Sequence, residues 1–131
     1  MKEKNWYPAV EDIEKVHDDV LEQNPEKYPG TRVSPLTRIP EVITEARNTP
    51  GHYKSAAVLL KRIASEHVFE DGNTTTAILI AKKFLERNNK EFKPNDHKLT
   101  GKVANNHGLY SVEEIAHYFK TGEIDETKYS S

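Results

Sequence analysis

The stretch Ser65–Leu85, SEHVFEDGNTTTAILIAKKFL, constrains this chain more than any other. It begins as the end of an amphipathic helix and passes through a polar turn carrying His67, Asp71, Gly72 and Asn73. It then enters a second helix whose Ala77–Ala81 segment is apolar on every side. A helix without a polar face belongs inside a bundle. The pattern therefore predicts a central buried helix over about 74–88, with a His, an Asp and an Asn delivered to its amino end. The first backbone N–H groups of a helix lack intrahelical acceptors and the macrodipole is positive there. Such an end favours an anion, phosphate first of all.

The flanking sequence supplies helices to surround that centre. Val10, Ile13, Val16, Val20 and Leu21 recur at three- and four-residue steps after Pro8, with His17 and Asp18 flanking the stripe. Asn24-Pro25 and Pro29-Gly30 end this helix. Thr31–Pro40, rich in proline, reads as an extended surface segment. A short helix follows over Pro40–Arg47, then one over His52–Glu66 whose stripe of Ala56, Leu59, Leu60 and Ile63 leads to His67. Beyond the central helix, Asp96–Asn106 would bury Leu99 and Val103. Ser111 and Glu114 form a capping box for a last helix that buries Val112, Ile115 and Phe119 and stops at Gly122. The expectation is an all-α bundle of six or seven short helices.

At 131 residues the chain reads as a single domain over 1–131, with ends expected to fray at about 1–6 and 123–131. A net charge of −2 argues against a broad nucleic-acid or membrane-binding face. Without cysteine there is no disulfide and no thiolate metal site. The apolar runs are too short to span a bilayer and MKEKNWYP is no signal peptide, so a cytoplasmic protein is expected.

HVFEDGNTTTA resembles the Fic/Doc motif, which reads His-Pro-Phe, any residue, Asp or Glu, Gly or Ala, Asn, Lys or Gly, then Arg. IEKVHDDVLEQN, KSAAVLLKRIASEHVF, AKKFLERNN and SVEEIAHYF are similar to successive helices of death-on-curing (Doc) toxins, so the likeness spans about Tyr7 to Lys120. The resemblance implies a Fic/Doc-like helical fold and transfer of part of ATP, with Mg²⁺, onto a hydroxyl of a target protein. Fic members mostly transfer AMP, whereas Doc toxins phosphorylate a translation elongation factor. By position it makes His67 the general base, Asp71 the Mg²⁺ ligand, and Gly72, Asn73, Thr74 and Thr75 the nucleotide-phosphate contacts. Phe69 would anchor the turn, and the segment near 31–40 falls where the family has a flap that aligns the target. Many Fic proteins carry an inhibitory helix containing Glu-Gly or Glu-Asn, and neither pair occurs here. By resemblance, restraint would then come from a separate antitoxin polypeptide, or would be unnecessary if activity is already low.

The chain departs from the motif at its cations. Thr74-Thr75 stand where Doc toxins have Lys-Arg, and Ile78 where AMP-transferring members have a second Arg. A transition-state arginine is worth on the order of a thousandfold in phosphoryl transfer, and a hydroxyl does not replace a guanidinium. Three outcomes stay open: weak or absent catalysis, support of Mg²⁺ by Thr74 or Thr75, or a cation supplied by Arg32, Arg38 or Lys82. Activity therefore competes with a degenerate member that binds a partner without turnover, and with a plain helical interaction domain. Taken singly, His67 could be a helix C-terminal histidine and Asp71–Thr74 an ordinary turn with a cap. His97, His107 and His117 recur without a metal motif, and no recognition helix follows Gly122 to read DNA.

Overall fold

A computed structural model describes residues 5–23, 39–65 and 73–129. Among them are six α-helices and no strand: α1 (Val10–Gln23), α2 (Ile39–Arg47), α3 (His52–Ser65), α4 (Asn73–Arg87), α5 (His97–Asn105) and α6 (Val112–Thr121). The fold is all-α, as the periodicity predicted. Short 3₁₀ turns at His107–Leu109 and Glu126–Tyr129 complete it. No described helix is long and apolar enough to cross a membrane.

The α3–α4 pair is the centre. Eight residues of α3 are buried, including Ala56, Leu59, Leu60 and Ile63, because other helices pack on several sides of it. In α4 the buried set Asn73, Thr76, Ala77, Ile80, Ala81, Phe84 and Leu85 follows the three-four spacing of one helix face. The two helices run antiparallel, since the His52 ring at the start of α3 lies 5.9 Å from the Phe84 ring near the end of α4. Helices α2 and α6 flank α3, and α1 packs on α4.

The expectation that α4 is buried all round at Ala77–Ala81 needs correction. Ala77, Ile80 and Ala81 are fully buried, but Leu79 is 41% exposed and Ile78 half-buried. Leu79 joins Val16 and Val20 of α1 in lining an open groove of about 460 Å³. Five consecutive apolar residues cannot all reach one packing stripe when each residue advances about 100° around the helix. In α1 the stripe is Ile13, His17 and Val20, with Val16 half-buried. His17 is thus a packing residue.

Each end of the bundle is fastened. At one end Asn88 Nδ2 donates to Trp6 O (2.9 Å) and Trp6 N–H donates to Asn88 Oδ1 (2.8 Å), while the Arg87 guanidinium lies 5.3 Å over the Trp6 ring. Within the tail expected to fray over 123–131, the described residues 123–129 are tied to α6 and the turn before it. Tyr110 Oη donates to Asp125 O (2.8 Å), and Lys128 Nζ lies 2.7 Å from Glu114 Oε2. The capping box forms as predicted: Glu114 N–H donates to Ser111 Oγ (3.1 Å) and Ser111 N–H to Glu114 Oε1 (3.0 Å). Gly122 closes α6 at φ 82°, a left-handed conformation that suits glycine, and its N–H donates to Tyr118 O (2.7 Å).

Two of these fastenings give testable results. Lys61 Nζ donates to His107 O (2.7 Å) and also to Tyr110 O, tying the second half of α3 to the link before α6. Burial lowers its pKa, opposed by the Glu114 carboxylate. Lys61→Met keeps the stem but strands two carbonyls. It should cost about 1–3 kcal/mol in urea unfolding.

His52 Nε2 sits 3.0 Å from Asn5 Oδ1, and burial followed by the Lys90 charge holds its imidazole below the usual value. With the folded pKa lowered, the unfolded chain takes up the proton first as pH falls. The stability tied to neutral His52 is complete above about pH 6.5 and is lost as pH drops through the folded pKa. Unfolding free energies measured across that window should fall less steeply for His52→Gln than for wild type.

Candidate functional site

Antiparallel packing brings the carboxyl end of α3, at Ser65, beside the amino end of α4, at Asn73. The same end of the bundle holds the start of α6, because Lys61 of α3 bonds Tyr110 just ahead of the Ser111 cap. His67, Asp71 and Gly72 fall on 66–72, and the 31–40 segment falls mostly on 24–38; both stretches lie outside the described residues. Phe69, Arg32 and Arg38 lie outside them as well.

What is described is the helix end that receives them. Asn73 is the first residue of α4 and is buried, Thr74 and Thr75 are half-buried, and Thr76 is fully buried. No acidic residue stands in the first turn of α4, and Arg87 stands in its last. The amino end therefore keeps its positive dipole uncompensated by its own carboxylates, and the half-buried Thr74 and Thr75 hydroxyls flank its N–H groups. An oxyanion fits such an end. Asn73, Thr74 and Thr75 offer oxygen donors and no sulfur or imidazole, the chemistry a hard cation accepts beside a carboxylate and phosphate.

Of the alternative cations, the position of Lys82 argues against it. It lies nine residues along α4 from Asn73, about 13.5 Å at the helical rise. Its ammonium lies 5.9 Å over the Phe92 ring, and its four-carbon stem spans roughly 6 Å. A cation that the sequence reading passed over is Arg62, in the last turn of α3 at this end of the bundle; it pairs with Glu45 of α2. Among the described residues no three His, Asp or Glu side chains gather to hold a metal, and His97, His107 and His117 form no cluster.

The sequence reading also passed over Thr76. The available signal was its spacing: Asn73, Thr76 and Ile80 fall at three and four residues, the register of the buried face.

No curated protein and no solved structure matches the chain significantly. A family model described as the Fic/DOC family matches residues 7–85. The match runs from just before α1 into the last turn of α4 and takes in the whole motif, while α5 and α6 lie beyond it. It covers more than half of the 131 residues, and with the all-helical arrangement around α4 it shows that the chain belongs to the Fic/DOC family.

Proposed function

We propose that the chain is a Doc-like, toxin-type transferase that moves phosphate or AMP from Mg·ATP to a hydroxyl of a target protein, one of the translation machinery. Fic members are typically transferases that move AMP. The observation that carries the reading is the amino end of α4: a buried Asn73 and the half-buried Thr74 and Thr75 at a helix dipole, inside the motif and within the family match.

In this reading His67 accepts the target hydroxyl proton as that oxygen attacks phosphorus. The new P–O bond forms as the bond to ADP or pyrophosphate breaks. An imidazole suits the task because its proton affinity lies near neutral pH. Asp71 and the threonine hydroxyls would hold Mg²⁺, which when bound neutralises phosphate charge. Gly72 lets the backbone approach the phosphates, and Asn73 with the first N–H groups of α4 binds their oxyanions. A separate antitoxin polypeptide is the proposed restraint.

The test is incubation with labelled ATP, Mg²⁺ and lysate. One protein should take up label, and His67→Ala should reduce transfer by at least about a hundredfold, the lower range for a general base. Unchanged labelling in that variant sinks the base assignment. The placement of Lys82 favours a second reading, in which Thr74-Thr75 leave the site without a nearby cation and the protein binds a partner without turnover. That reading expects no labelling and no nucleotide-dependent thermal shift.

A further inference from the structure

Four threonine hydroxyls in this protein share one habit. Thr44 donates to Pro40 O (2.9 Å), Thr49 to Glu45 O (2.8 Å), Thr100 to Asp96 O (3.0 Å) and Thr121 to His117 O (2.8 Å). Each reaches the carbonyl four residues back, as a helical threonine readily does. Thr76 departs from it. It is 0% exposed, and its Oγ1 has no hydrogen-bond partner among the described residues.

A buried hydroxyl left in this state is destabilising, and valine would fill the same space without the defect. The direction of the group gives it a use. Asn73 and Thr76 are three residues apart and both buried, so they share a face of α4. Helical side chains tilt toward the amino end, which aims the Thr76 hydroxyl back at the first turn.

We propose that Thr76 is a positioning residue for the amino end of α4. When an oxyanion takes up the N–H groups of the first turn, the Thr76 hydroxyl donates to the Asn73 carbonyl, three residues earlier, and holds that turn in its anion-binding form. Thr76 acts through the Asn73 backbone and touches no ligand. Because the bond is unmade in the free protein and made in the loaded one, ligand binding and the bond favour each other. The identity of the anion as a nucleotide phosphate rests on the transferase reading above.

The experiment compares full-length wild type, Thr76→Val and Thr76→Ser by thermal unfolding and by titration with Mg·ATP. Without ligand, Thr76→Val should melt above wild type, since the orphaned hydroxyl is gone. Its affinity for Mg·ATP should fall about tenfold, the scale of one hydrogen bond, while Thr76→Ser keeps the wild-type affinity. Wild-type affinity in Thr76→Val overturns the proposal, and so does an equal loss in Thr76→Ser, which retains the hydroxyl. If wild type itself binds no Mg·ATP, it is the nucleotide reading that fails, and the positioning role falls with it.

Discussion

Introducing Lys at position 74 and Arg at position 75 together, as Thr74→Lys and Thr75→Arg, should raise transfer from labelled ATP by on the order of a thousandfold. Both positions are half-buried at the start of α4, so longer side chains have access to solvent and to a ligand at the helix end. Cations there oppose the helix dipole by about 0.3–1 kcal/mol each, a small charge against the fold, and both residues favour helix more than threonine does. The gain should appear in nucleotide affinity as well as in rate, because a guanidinium binds phosphate oxygens in pairs. If affinity for Mg·ATP stays at the wild-type level in a variant that still folds, the amino end of α4 is not where the triphosphate sits.

The second large effect concerns stability. Phe84→Ala should cost about 3–5 kcal/mol and lower the melting temperature by about 10 °C or more. Phe84 is fully buried in α4, with the Tyr7 ring 5.4 Å and the His52 ring 5.9 Å away. It is where α4, the start of α3 and the segment before α1 meet. Truncation would leave a cavity bounded by rigid rings, which relax poorly into empty space. A loss below about 1 kcal/mol would mean that the three segments close the gap by moving together.

Much of this fold was legible because several elements announce themselves locally. Ser111 with Glu114, and Gly122 ten residues beyond the start of α6, mark both ends of a helix by hydrogen-bonding chemistry that requires no neighbour. The stripe of α3 was equally plain. What depended on tertiary context was not. His17 takes a core position in α1 between Ile13 and Val20, which its polarity disguised. Leu79 faces the groove along α1 because Ile80 and Ala81 already occupy the packed face. The docking of Trp6 on Asn88 joins residues 82 positions apart, beyond any local pattern. The candidate site was legible as a string of residues from His67 to Thr75. Thr76 was hidden because a threonine that makes no hydrogen bond looks, in sequence, like one that does.

Among the described residues the contact between α3 and α4 is the most extensive, and each helix turns a long buried face into the core. Their mutual grip holds the amino end of α4 in place. Exchanges such as threonine for lysine and arginine at its edge can therefore redirect what the protein recognises while leaving the architecture that presents it intact. Chemistry can drift here on a fixed frame.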